Sequence, residues 1–146
     1  MLELKHIHKY YNPGTINEMC LFDDFNMIIP DGQFVSVVGS NGSGKTSLLN
    51  IICGSIDLDL GSVMIDGKDI AREKEYRRNH YIGRVFQNPA MGTCPNMTIA
   101  ENMSLADNKG KLYGLHPGKN KARMSFYQES LKILSLGLED KMDVKV

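Results

Sequence analysis

The chain has no excess of charge of either sign: 17 Lys and Arg stand against 17 Asp and Glu, for a formal net charge of zero. A nucleic-acid binder normally shows a basic surplus, and an electrostatic membrane anchor needs a polybasic segment. Neither class is indicated, and the short run Arg77-Arg78 reads as solvated surface. Cysteine is scarce. Cys20, Cys53 and Cys94 are odd in number and widely spaced, with no CxxC pair and no Cys/His cluster. That pattern argues against a zinc site or a disulfide framework and for reduced thiols. No apolar run reaches the roughly 20 residues that a membrane-spanning helix needs. The start, Met1-Leu-Glu-Leu-Lys-His, lacks the charged-then-apolar layout of a signal peptide. No internal repeat or low-complexity tract is found. What remains is one domain's worth of ordinary composition, 146 residues with 42% apolar and 23% charged, expected in the cytoplasm.

Leu2, Leu4 and Ile7 mark a half-buried first strand, and Asn12-Pro-Gly breaks it. Phe25 to Ile29 predicts a second strand, closed by the turn Pro30-Asp31-Gly32. Phe34-Val-Ser-Val-Val38 is a compact β-branched run of the kind that forms a buried strand. A glycine-rich loop and a helix over Lys45 to Ile52 follow, with Gly54 ending the helix. Gly61 to Ile70 predicts a hairpin turning at Asp66-Gly67. A short polar helix is expected over Ala71 to Arg78, and a strand over Ile82 to Phe86. Beyond Asn88, Pro89, Gly92 and Pro95 mark a loop, and Thr98-Ile-Ala-Glu101 fits a capping box opening a helix through Leu105. Asn108 to Gly118 is loop-like. A second helix is expected from Lys121 to Leu136, with Tyr127, Leu131, Leu134 and Leu138 at helical spacing and a stop at Gly137. The nine methionines are scattered and read as packing residues.

The sharpest signal is Gly39-Ser40-Asn41-Gly42-Ser43-Gly44-Lys45-Thr46, which matches GxxxxGK[ST] at every fixed position. A triphosphate needs inward-pointing backbone N–H groups, and glycine lets the chain curl tightly enough to supply them. Gly42 and Gly44 are best placed to keep that path open. The helix starting near Lys45 aims its N-terminal dipole at the anion. Lys45 carries an ammonium to the β- and γ-phosphates, and the Thr46 hydroxyl is offered to a bridging magnesium ion. With Ser47 beside it, this loop is the expected seat of ATP. The loop also sits between an expected buried strand and an expected helix, the context the motif requires.

From here the chain closely resembles the ATP-binding subunits of ABC transporters, over essentially its whole length. Gly61-Ser-Val-Met-Ile-Asp-Gly-Lys-Asp-Ile70 resembles the hairpin those proteins carry after the phosphate-loop helix. A rival reading makes Val63-Met64-Ile65-Asp66 a magnesium-binding strand end; the Asp66-Gly67 turn favours the hairpin. Ile82-Gly-Arg-Val-Phe-Gln-Asn-Pro89 resembles the family's Q-loop, which implies that Gln87 sits near the magnesium and the attacking water. A neutral amide can coordinate a cation and orient water; the alternative is ordinary loop chemistry before Asn-Pro. Lys9-Tyr10-Tyr11 before Asn-Pro-Gly is similar to the family's aromatic loop, whose ring stacks on adenine. Tyr11 is the choice by spacing, Tyr10 the fallback, and a ring packed at the core's edge the alternative. Met97-Thr-Ile-Ala-Glu-Asn102 resembles the opening of the helical subdomain.

The resemblance implies an α/β fold of the P-loop NTPase, ABC ATPase type, in incomplete form. Residues 1–89 would be the nucleotide-binding core with its β-subdomain and Q-loop, and 90–146 the start of the helical subdomain. Lys45 and Gln87 are the implied catalytic groups, Thr46 and Gln87 the implied magnesium ligands. Transmembrane subunits and a second ATP-binding subunit are the implied partners, with the chain peripheral at the inner face of the cell membrane. The family's signature segment, magnesium-binding Asp, catalytic Glu and switch His are not found, and Asp143-Val-Lys-Val146 resembles the lead-in to the signature. The expectation is therefore the N-terminal portion of such a subunit, marginally stable, binding ATP with little turnover. Alternatives are a non-catalytic ATP-binding module, or a P-loop kinase or GTPase sharing only Gly39–Thr46.

Overall fold

A computed structural model describes residues 1–110 and 121–146. The chain divides into two compact units, Met1–Gly83 and Arg84–Val146.

The first unit is built on a four-stranded sheet in the order β2-β1-β3-β4, antiparallel at every pairing. Its strands are β1 (Leu2–Tyr11), β2 (Met19–Ile29), β3 (Leu60–Ile65) and β4 (Lys68–Asp69). Strict alternation would put Leu4 and Ile7 on opposite faces of β1, yet they are 1% and 0% exposed. An irregularity between them resolves the conflict. His6 takes φ 50°, and the pairing with β2 shifts register between Leu4 and Ile7. On β2, Asp24 takes φ 52°, which brings Phe22, Phe25 and Met27 to the same core. The bulge is held by the His6 N–H donating to Asn26 Oδ1 at 2.8 Å and by a 2.6 Å contact of His6 Nδ1 with Asp24 Oδ1. Opposite the bulge only glycine fits: a Cβ on Gly61, at φ 106°, would lie 2.3 Å from the His6 carbonyl oxygen.

Helix α1 (Lys45–Cys53) buries Leu48 and Ile51 against Leu4, Ile7, Val63 and Ile70. It ends at Gly54 in the left-handed conformation, whose N–H donates to the carbonyls of Asn50 and Ile51. The expected hairpin is present, with Asp66 at φ 49° and Gly67 at φ 80°. Asp66 accepts from the Met1 ammonium at 2.5 Å in that turn, so the rival strand-end reading does not hold.

Two expected strands are absent. Residues 33–40 and 82–86 carry no strand assignment. Phe34 and Val38 are 94% and 88% exposed, and Val85 is 97% exposed. Both stretches have the right composition, but no described strand lies alongside to exchange backbone hydrogen bonds. The short polar helix shrinks to α2 (Glu75–Arg78), because the Ala71 N–H is taken by Asp69 Oδ1 and a turn occupies Ala71–Glu73. Arg78, read as solvated surface, is 1% exposed.

In the second unit α3 (Ile99–Asp107) starts on a reciprocal capping box. The Thr98 hydroxyl accepts from the Glu101 N–H, and Glu101 Oε2 accepts from the Thr98 N–H. Helix α4 (Met124–Leu134) packs on α3, with Ala100, Tyr127, Leu131 and Met142 forming a small core. The Tyr127 hydroxyl donates to Asp107 Oδ2 at 3.0 Å. The helix stops at Ser135, φ 53°, earlier than the expected Gly137. The expected start at Lys121 is a 3-10 turn, Lys121–Arg123, and the loop expected over Asn108 to Gly118 falls largely outside the described residues.

Candidate phosphate-binding site

The geometry of Gly39–Ser47 follows from its glycines. Gly42 and Gly44 take φ 82° and 86°, a region L side chains rarely enter, and they turn the chain back before the helix starts. Gly44 is the N-cap of α1, and having no side chain it caps nothing. No acidic residue occupies the first turn, so no carboxylate competes for the positive end of the helix. At Gly39 a Cβ would lie 2.6 Å from Ser43 Oγ, so the start of the curl packs against its own middle. The Ser43 N–H donates to the Ser40 carbonyl at 3.3 Å, closing the turn.

The Lys45 side chain folds back over this curl. Its Nζ donates to the carbonyls of Gly39 at 2.8 Å and Ser40 at 2.7 Å, which holds the ammonium above the loop. Thr46 is exposed at the first turn, and Ser47 is half-buried beside it. Beneath the loop lie two residues that sequence reasoning passed over. A Cβ at Gly44 would meet Leu21 Cδ1 at 3.1 Å and Phe22 Cζ at 3.4 Å, so β2 provides the floor on which the loop rests. The signal was weak: the strand expected over Phe25–Ile29 runs further back than its composition announces, to Met19.

Tyr11 is at the end of β1, paired with Met19, while Lys9 pairs with Phe22. The end of the sheet that carries Tyr11 is thus the end on which the loop rests. The Lys9 ammonium lies 5.7 Å from the Tyr11 ring centroid and 3.1 Å from Asp59 Oδ1. Asp59 also accepts the Tyr10 N–H at 2.6 Å. That backbone bond, then the Lys9 ammonium, holds the Asp59 carboxyl below the usual carboxylate range. The Tyr10 hydroxyl is engaged by Cys20 and Asp23, which with partial desolvation push its pKa up to about 12.

Gln87 belongs to the second unit. It is exposed, directly after the irregular stretch 82–86 and before the 3-10 turn Pro89–Met91, which Asn88 caps by accepting the Ala90 N–H. The Arg84 guanidinium stacks 4.5 Å from the Phe86 ring centroid just ahead of it. The structure therefore assembles Gly39–Ser47 and the Tyr11 end of the sheet within one unit, and carries Gln87 on the other.

The chain is similar to proteins of one kind. A family model described as "ABC transporter" matches residues 22–144. The "Tyrosine transport ATP-binding protein" of Clostridioides difficile is 42% identical over the whole of this chain, which spans 58% of that relative's length. The "Spermidine/putrescine import ATP-binding protein" of Haemophilus influenzae is 39% identical over 71% of this chain and 26% of its own length. Among solved structures, a dimeric ATP-binding cassette in a post-hydrolysis state bound to ADP and Pi matches 99% of this chain at 30% identity, with a TM-score of 0.76, over 61% of that chain. A nucleotide-free ATP-binding cassette from an ABC transporter matches at 27% identity and a TM-score of 0.71, again over 99% of this chain and 57% of its own. The chain thus spans about three fifths of the full-coverage relatives. With a glycine-lined curl opening a helix, a lysine folded over it, and a family match across most of its residues, the chain belongs to the ABC transporter family, as part of an ATP-binding cassette.

Proposed function

We propose that Gly39–Ser47 seats the triphosphate of ATP, and that the chain acts within the ATP-binding subunit of an ABC transporter, coupling ATP binding and hydrolysis to transport. One observation carries the reading. Two left-handed glycines deliver the chain into a helix whose first turn has neither a side-chain cap nor an acid, with the Lys45 ammonium held over the same loop. The residues fit a polyphosphate. First-turn N–H groups bind the phosphate oxygens, and Lys45 exchanges its contacts with the Gly39 and Ser40 carbonyls for contacts with the β- and γ-phosphates. The Thr46 hydroxyl would hold a magnesium ion, which when bound neutralises phosphate charge. Tyr11, rather than the tethered Tyr10, offers its ring to adenine.

These residues bind and orient. Hydrolysis and its coupling are proposed for the whole cassette together with a second ATP-binding subunit, as the dimeric relative supports. Membrane contact is proposed only through transmembrane partner subunits at the inner face of the membrane. A non-catalytic ATP-binding module is the second reading. Calorimetric titration with magnesium-ATP tests the binding claim. Lys45→Ala should weaken binding by about 100-fold or more, the scale set by losing a charge-assisted contact of about 3 kcal/mol. Absence of binding at millimolar ATP by folded protein would refute the site. Magnesium-dependent turnover lost in Lys45→Ala would refute the non-catalytic reading.

A further inference from the structure

The helix that carries the phosphate loop is gripped at its far end by one buried arginine. Arg78 is 1% exposed. Its Nη1 donates to the carbonyls of Ile51 at 2.7 Å and Ile52 at 3.0 Å, both in the last turn of α1. Its Nη2 donates to the Ala71 carbonyl at 2.7 Å, and its Nε to the Glu73 carbonyl at 2.8 Å. The guanidinium packs closely against the helix terminus: a Cβ at Gly54 would fall 2.6 Å from Nε and 2.9 Å from both Cδ and Cζ. Gly54 is thus needed twice, for its φ of 84° and for this close approach.

The last carbonyls of a helix lack intrahelical partners and carry the negative end of its dipole. A cation there is well placed, but burying one is costly unless its donors are matched. Burial pushes the Arg78 pKa down from its ordinary value, and the fields of Asp57, Glu73, Cys53 and Asp69 oppose that fall. Four bonds running to two separate stretches of backbone, the end of α1 and the Ala71–Glu73 turn, need the planar fork of arginine; a lysine ammonium cannot span them.

We propose that Arg78 is a positioning residue for the phosphate loop. It ties the C-terminal end of α1 to the Ala71–Glu73 turn, so fixing the axis along which Lys45, Thr46 and the first-turn N–H groups face a triphosphate. This rests on the reading of Gly39–Ser47 as the triphosphate site. The lever is short and stiff. A nine-residue helix is about 13 Å long, so a tilt of about 5° moves its first turn by about 1 Å. Misplacement on that scale is enough to cost binding groups their alignment.

The test compares the full chain with Arg78→Lys, Arg78→Met and a control, Ile7→Val, which trims the core on which α1 packs but leaves the bonds of Arg78 to the helix end in place. Affinity for magnesium-ATP and for inorganic triphosphate is measured by calorimetry, with thermal midpoints and the amide resonances of Gly42, Gly44 and Lys45. Arg78→Lys should weaken both ligands about tenfold or more, Arg78→Met further, and both should shift the loop amides. Ile7→Val should lower the midpoint yet stay within about twofold of the parent in affinity. Arg78→Lys with parental affinity and unmoved loop amides, at a midpoint lowered like that of Ile7→Val, overturns the proposal. If Arg78→Met does not fold, Arg78→Lys decides alone. Should the parent bind neither ligand, the triphosphate reading fails by itself, and unmoved loop amides in Arg78→Lys then overturn the positioning role separately.

Discussion

Val63 and Val85 are the same residue, each in a stretch whose sequence predicts a strand, and the structure treats them oppositely. Val63 lies opposite Leu4 in the sheet and is 0% exposed; Val85 belongs to a stretch without regular structure and is 97% exposed. The contrast extends to their neighbourhoods. The sheet strands pair antiparallel, and the β3–β4 hairpin brings its own partner through the Asp66-Gly67 turn. The stretches 33–38 and 82–86 match a strand in composition but have no described neighbour in register. Strand propensity describes how a side chain suits a pleated surface; the ladder itself needs a second segment.

That comparison can be broken most forcefully at Gly61. Gly61→Val places a branched side chain at φ 106° against the His6 carbonyl, and should cost about 3 kcal/mol or more, read as loss of the denaturant midpoint or failure to fold. Val63→Ala should cost about 2 kcal/mol through lost burial and a residual cavity, measured by urea unfolding. In the other unit, Thr98→Ala removes one half of the capping box and should cost about 1 kcal/mol, seen as faster amide exchange at the start of α3. Smaller still is the pH response of Asp59, whose carboxyl is depressed by the Tyr10 N–H and Lys9. The folded pKa lies below the unfolded one, so its contribution is complete above about pH 4 and fades as pH falls through the folded value. Exposure to solvent keeps the effect small. The gap in thermal midpoint between parent and Asp59→Asn should accordingly close on acidification. Least of all, Val85→Ala should change stability by less than about 0.5 kcal/mol, the fate of an exposed site. A cost for Val85→Ala equal to that for Val63→Ala would erase the distinction between the two regions.

Local chemistry was legible wherever the responsible groups are close in sequence. The capping box needs only Thr98 and Glu101, and the hairpin only Asp66 and Gly67. The curl of Gly39–Ser47 needs only its own glycines and the helix that follows. Residues whose roles depend on distant partners were misread or missed. Arg78 looked like one of two adjacent surface arginines until Gly54, Ile51 and Ala71 were seen to enclose it. Leu21 and Phe22 gave no sign of lying beneath Gly44. The bulge in β1 was hidden because Leu4 and Ile7 fit no single period, and His6, Asp24 and Asn26 make it jointly from two strands.

The order of residues alone settled the phosphate-loop motif, the Asp66-Gly67 turn and the starts of α1 and α3, because each is decided by backbone conformation within a few positions. Tertiary structure decided which apolar runs became strands, which arginine was buried, and what the loop rests upon. Those outcomes depend on hydrogen-bond partners and packing surfaces supplied from tens of residues away, which no local pattern encodes.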